Sequence, residues 1–148
     1  MSKSYSKNHK VIIIAEAGVN HDGSLNKAKK LIDAASSAGA DYVKFQTYKV
    51  SKLILKSTPK AQYQKKNTRS SSSQYSMLKK LELTYEDHHN LIKYSNKKKI
   101  RFLSSAFDIE SLEFLGKLNL DFIKIPSGEI DNYPYLIQVG KKNKKTIL

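Results

Sequence analysis

The chain has 148 residues, and its 27 Lys and Arg against 13 Asp and Glu give a formal charge of +14. That length suits one domain, and with 39% hydrophobic and 9% aromatic residues there is enough apolar material for a core, which excludes disordered, collagen-like, coiled-coil and low-complexity chains. The absence of cysteine excludes a disulfide framework, a thiolate zinc site, an iron–sulfur cluster and a cysteine nucleophile, and it fits a cytoplasmic location.

Residues 1–10 are polar and basic and read as a frayed tail, followed by one unit over 11–148. Val11 to Ala15 is the longest apolar run, far short of the ~20 residues of a membrane span, so a soluble protein is expected. The run is rich in β-branched residues and bounded by Gly18, which predicts a parallel strand buried on both faces. From Ser24 to Ala38, Leu25, Ala28, Leu31, Ile32 and Ala35 recur at helical spacing, and Gly39 stands where a helix C-terminal cap belongs. Asp41 to Gln46 is a second strand. Lys49 to Gln74 is a long irregular connection broken by Pro59, the length of a functional loop, and Met77, Leu78, Leu81 and Leu83 suggest a short helix after it. The alternation then resumes: a helix over 85–97, a strand over 100–103, a helix over 109–118, a strand over 121–125, a helix over 135–141 and the opening of a fifth strand at 145–148.

Strands alternating with amphipathic helices mean a parallel α/β sheet with right-handed crossovers, either an open doubly wound sheet or a (β/α) barrel. The first strand-to-helix loop, Glu16 to Gly23, has neither the GxGxxG turn of a dinucleotide site nor the GK[ST] of a P-loop. Every strand instead ends in polar residues at its carboxyl end, the face on which barrel enzymes build their sites.

Side chains alternate along a strand, so Tyr42, Lys44 and Gln46 share the inner face of the second strand while Val43 and Phe45 face the helices. The same count puts Phe122 and Lys124 on the inner face of the fourth strand and Ile12, Ile14 and Glu16 on one face of the first. An unpaired ammonium is costly to bury, so two inward lysines need anions. Glu16 and Glu129 could serve merely as their counter-ions. Because buried ion pairs seldom improve on apolar packing, four charges at three strand ends favour a site. Ser104, Ser105 and Ser127 add hydroxyls at turns that can hold phosphate oxygens. Asp108 reads as the N-cap of the next helix, and Asn67 is a polar residue in the long loop.

Histidine adds little: His88 and His89 are assigned to the polar side of a helix, His21 lies near the mouth, and no HxH or HExxH spacing is present, so no metal site is expected within the chain. Ser-His-Asp hydrolysis lacks its nucleophile elbow. Only Arg69 and Arg101 are arginines, the lysines are spread along the chain, and no nucleic-acid-binding pattern appears, which leaves a nucleic-acid module as the remote alternative to a lysine-rich solvated surface.

Five segments in order, Ile14 to Gly23 (IAEAGVNHDG), Ala38 to Thr47 (AGADYVKFQT), Tyr63 to Thr68 (YQKKNT), Phe102 to Asp108 (FLSSAFD) and Phe122 to Glu129 (FIKIPSGE), resemble the successive motifs of the sialic acid synthases, the N-acetylneuraminate, legionaminate and pseudaminate synthase family. Where the family usually reads Ser-Thr-Pro-Phe-Asp this chain has Ser104-Ser-Ala-Phe-Asp108, and Ser105 keeps the hydroxyl. The resemblance implies a (β/α)8 TIM barrel that condenses phosphoenolpyruvate with the open-chain aldehyde of an N-acylated hexosamine, N-acetylmannosamine or a diacetamido hexose, giving a nine-carbon 2-keto acid and phosphate. Matched by motif, Lys44, Lys124, Ser105, Ser127 and Asn67 resemble phosphoenolpyruvate ligands and Gln46 a sugar contact. Glu16 and Glu129 resemble the essential carboxylates near the attacking water and the aldehyde.

The resemblance covers about four β/α units plus the start of the fifth strand, against a barrel of ~250 residues. It implies the N-terminal half of a synthase, without the second half of the barrel and the antifreeze-like domain that follows it in the family. The complete enzyme is expected to be a cytoplasmic homodimer using a divalent metal, manganese or magnesium, held by two histidines of later strands and so by none of this chain's residues. The chain alone is expected to be inactive, and a noncatalytic fragment that only binds anions is the alternative.

Overall fold

Strand formation starts three residues later than the apolar run suggests. The computed structural model describes residues 11–56 and 73–148; β1 is Ile14–Gly18, and Val11, Ile12 and Ile13 precede it with exposures of 77%, 51% and 57%. The register explains the shift, because Ile14 pairs with Tyr42, the first residue of β2 (Tyr42–Thr47), and Ile13 is bonded, among the described residues, only to those at that strand's start, Asp41 and Tyr42. Among the described residues β2 is the one strand that pairs with β1. The expectation of a first strand buried on both faces is corrected: Ile14 and Ala15 are half-buried and Glu16 is exposed.

The helices form where caps and apolar stripes coincide. In α1 (Leu25–Ser37) the Ser24 side chain accepts from the Lys27 amide, and Ala28, Ile32 and Ala35 are the buried stripe. Past its end Gly39 takes φ +75°, a conformation that glycine adopts without a Cβ clash. After β2 come one short turn, α2 (Val50–Leu53), then α3 (Gln74–Leu81) and α4 (Tyr85–Lys97). α4 opens with a reciprocal capping box between Thr84 and Asp87. β3 (Arg101–Ala106) runs longer than expected and takes Ser104 and Ser105 into the strand itself. α5 (Ile109–Lys117), β4 (Ile123–Lys124), a 3-10 turn (Ser127–Glu129), α6 (Tyr133–Lys141) and β5 (Thr146–Ile147) complete the order.

The five strands are all parallel and follow one another in chain order, β1-β2-β3-β4-β5, the arrangement of the first part of a (β/α)8 barrel. β2 and β3 pair over six positions, from Tyr42 with Arg101 to Thr47 with Ala106. On their helix side Val43, Phe45 and Phe102 pack with Ala28, Ile32 and Leu91, and a second core under β3 and β4 gathers Ala106, Leu112, Ile123 and Tyr135. At the amino end of the other face Tyr42 is buried against Phe122, its hydroxyl donating to Asp121 (2.6 Å) and accepting from Arg101 (2.8 Å). Burial, with Asp121 beside it, raises the Tyr42 pKa, so the ring stays a neutral plug at that end.

Asp108 caps α5 as expected and also does something the sequence did not show. Its carboxylate accepts from the Ser111 amide (2.8 Å) and hydroxyl (2.7 Å), and from the Lys49 amide (2.8 Å), tying the start of α5 to the loop that leaves β2. Asp108→Ala should therefore cost about 2–3 kcal/mol, a cap plus a second backbone donor left without its acceptor, against about 1 kcal/mol for Ser24→Ala. Urea denaturation of the two variants checks this, with equal midpoints as the contrary result.

Candidate active site

The inner face of the sheet carries charge and hydroxyls toward its carboxyl end because alternate residues of β1 to β4 point there. β1 bulges between Glu16 and Gly18, where the register shifts, and this leaves Glu16 paired with Lys44. Gly18 takes φ +54°, with the Glu16 carboxylate and the Gln46 amide both over its open side. Lys44, its side chain 12% exposed, forms an ion pair of 2.5 Å with Glu16, whose side chain is 55% exposed. The same ammonium donates to the Ser105 hydroxyl at 3.4 Å. Two residues further along, Gln46 pairs with Ser105 and Ser105 with Lys124, so these three form a row across β2, β3 and β4. The Lys124 ammonium donates to the Ile125 carbonyl.

Beyond β4, Pro126 has no N–H to extend the ladder, and the chain enters the 3-10 turn that holds Ser127 and Glu129. Ser127 is exposed and Glu129 half-buried, with Glu129 accepting from the Asn132 amide at 2.6 Å. Glu129 and Asn132 line a cleft of about 590 Å³ together with Lys52, Leu53, Phe107 and Ile109. Among the described residues no hydrogen bond joins this turn to the Glu16, Lys44 and Ser105 cluster. The structure thus brings Glu16, Lys44, Gln46, Ser105 and Lys124 onto one face and places Ser127 and Glu129 on a turn at its carboxyl edge. Asn67 lies outside the described residues.

The placement of His88 on a polar helix side is corrected: it is fully buried, on the stripe of α4 that also carries Leu91 and Ser95. The spacing 88, 91, 95 was the available signal, and the adjacent His89 and Asn90 masked it. His88 bonds the Thr84 carbonyl through Nδ1 and the Thr47 hydroxyl through Nε2, each at 2.7 Å, and Thr47 bonds Ser104 at 2.7 Å. His21 is buried too, its ring 6.1 Å from that of Phe45 on the helix side of β2, with Nδ1 accepting from the Gly23 amide.

A parallel sheet laid down in chain order, with charged residues at the carboxyl ends of its inner face, is the pattern of the first part of a (β/α)8 barrel. Within that fold class the chain belongs to the NeuB family, whose model matches residues 31–148. It is 52% identical over 139 residues to the N,N'-diacetyllegionaminic acid synthase of Campylobacter jejuni, covering 94% of this chain and 42% of that one. The synthase of the same name from Legionella pneumophila is also 52% identical, over 92% of this chain and 38% of that one. The chain therefore spans about two fifths of the length of these relatives. Among solved structures, the N-acetylneuraminic acid synthetase of Leptospira borgpetersenii superposes with a TM-score of 0.77 at 30% identity, over 95% of this chain and 44% of that one.

Burial pushes the pKa of His88 down, only partly opposed by its bond to the Thr84 carbonyl and by Asp87, and burial lowers that of His21 likewise. A histidine with a depressed native pKa binds its proton more readily in the unfolded chain, so its stabilising effect is complete above about pH 6.5 and is lost as pH falls toward the native value. The melting temperature should drop between pH 7 and pH 5, above the range in which carboxylates titrate. His88→Gln should flatten part of that drop, and thermal melts showing the same pH slope in both proteins would contradict the assignment.

Proposed function

We propose that the inner face of this sheet is the phosphoenolpyruvate side of a sialic-acid-type synthase site. In that reaction C3 of phosphoenolpyruvate bonds to the aldehyde carbon of an N-acylated hexosamine, water adds at C2, and phosphate leaves C2 to give a nine-carbon 2-keto acid. The observation that carries the reading is Lys44, nearly buried, held between Glu16 and Ser105 in a chain of this family. A part-exposed ion pair is worth about 1 kcal/mol or less, so an incoming phosphate or carboxylate can take the place of Glu16 on the ammonium. Lys124, one strand away from Ser105, meets the second anionic group of the same small molecule.

Ser127 adds a hydroxyl at the turn after β4, and Gln46 faces the sugar. Glu16, released from Lys44, and Glu129 are the two carboxylates that handle the attacking water and the proton delivered to the aldehyde oxygen as the carbon–carbon bond forms. The family's divalent metal finds no fit among the described residues, where no three metal-binding side chains gather and where His21 and His88 are buried on the helix side of the sheet. The identity of 52% with two N,N'-diacetyllegionaminic acid synthases, against 30% with an N-acetylneuraminic acid synthetase, supports a diacetamido hexose as the acceptor sugar. The substrates are soluble cytoplasmic metabolites, and the complete enzyme is read as a cytoplasmic homodimer.

Calorimetric titration of the chain with phosphoenolpyruvate tests the site. Each of Lys44→Ala and Lys124→Ala removes a charge-assisted contact of about 1.5–3 kcal/mol, a loss in affinity of about 10- to 150-fold. Affinity unchanged in either variant would remove that lysine from the site. In the enzyme as its gene encodes it, phosphate release should be faster with a diacetamido hexose than with N-acetylmannosamine, and Glu129→Gln should lower kcat more than it raises KM.

A further inference from the structure

The helix-facing side of β2 and β3 is apolar at Val43, Phe45 and Phe102 and then turns polar at Thr47 and Ser104, at the level where Gln46 and Ser105 occupy the other face. Thr47, Ser104 and His88 are 2%, 3% and 0% exposed. A valine would fill the shape of Thr47 without needing a partner, so packing alone does not call for a buried hydroxyl here.

The donors and acceptors fix the direction of the chain that these residues form. The Thr84 carbonyl can only accept, so His88 Nδ1 carries the proton. In the neutral ring Nε2 is then an acceptor, the Thr47 hydroxyl donates to it, and Thr47 in turn accepts from the Ser104 hydroxyl. The ring is flanked by Phe102 and Phe114 at centroid distances of 6.2 and 5.4 Å. The charged or titratable groups that act on it are Asp87 of its own helix, Lys49 of the loop after β2, and His21 of the loop after β1. Thr47 also accepts from the Phe107 amide through its carbonyl (3.0 Å), so β2 and β3 are fastened to each other at this level by backbone and by side chains.

We propose that Thr47, Ser104 and His88 are positioning residues: their hydrogen-bond chain, running from Ser104 through Thr47 to a neutral His88, locks the ends of β2 and β3 so that Ser105 and Gln46 present their side chains to the bound anion and sugar. The proposal rests on the reading of the inner face as the phosphoenolpyruvate side of the site. Ser105 is the residue most exposed to an error in strand placement, because its hydroxyl sits at the limit of hydrogen-bond reach from Lys44, at 3.4 Å.

Three measurements on the full chain decide it. Long-range nitrogen NMR at pH 7.5 should show His88 as the neutral tautomer protonated at Nδ1, and a proton on Nε2 instead overturns the proposal. Phosphoenolpyruvate affinity should fall about tenfold in Thr47→Val and in Ser104→Ala and return to within about twofold in Thr47→Ser. A folded Thr47→Val or Ser104→Ala that melts lower yet binds as tightly as the unaltered chain shows a purely structural role and overturns the proposal. If the unaltered chain fails to bind phosphoenolpyruvate, the proposed function falls, and the ligand-free NMR spectrum then decides the positioning claim. The Ser105 amide and Gln46 side-chain resonances should move in Thr47→Val and return in Thr47→Ser, and resonances that stay in place overturn it.

Discussion

The six-residue register between β2 and β3 is the constraint on which the rest of the molecule depends. A parallel pair aligned over that length sorts every side chain to one of two faces, and a slip of one residue would exchange them. With the observed register Val43, Phe45 and Phe102 meet α1 and α4 in a closed core, while Lys44, Gln46 and Ser105 are left together on the opposite side. Stability and site are thus set by the same ladder, and neither can be altered by shifting the strands without losing the other.

The two ends of the inner face are treated differently. At the amino end Tyr42 is buried against Phe122, and its hydroxyl is bonded to the more exposed Asp121 and Arg101. At the carboxyl end Lys44 is paired with Glu16, which is more than half exposed, and reaches Ser105 only at long range. A bond made at a part-exposed rim can be exchanged for a bond to a ligand at small net cost. The charge of +14 is carried largely by lysines spread along the chain and raises the local concentration of anions without selecting among them. Selection falls to the few inward groups.

Strand parity and helix caps were legible in the sequence because each depends on neighbours a few residues away. Lys44 and Lys124 could be assigned to the inner face by counting from Phe45 and Ile123, and Ser24 and Asp108 could be recognised as caps from the periodic runs that follow them. The start of β1 was not legible, since Val11 to Ile13 has a strand's composition and only the position of Tyr42 in the next strand decides where pairing begins. The bond from Lys49 to Asp108 spans 59 residues and has no local signature. The burial of His88 is hidden for a related reason: a helix position beside His89 and Asn90 looks solvated until Thr47 and the Thr84 carbonyl are seen to meet both of its ring nitrogens.

Buried polarity in this chain clusters behind the carboxyl ends of the strands, and that distribution bears on how the site keeps its shape. Asp108 pins the loop after β2 to the start of α5, and Thr47 bonds Ser104 beneath Gln46 and Ser105. Apolar packing holds strands together but tolerates small sliding motions, because its energy depends on area and hardly on direction. Hydrogen bonds between fixed donors and acceptors weaken steeply with misalignment. Directional contacts are therefore best spent where a displacement of about half an ångström would spoil ligand geometry, which is the level of the sheet at which they are found, while the amino-terminal half of the same helix-facing layer, at Val43 and Phe102, is left to hydrocarbon.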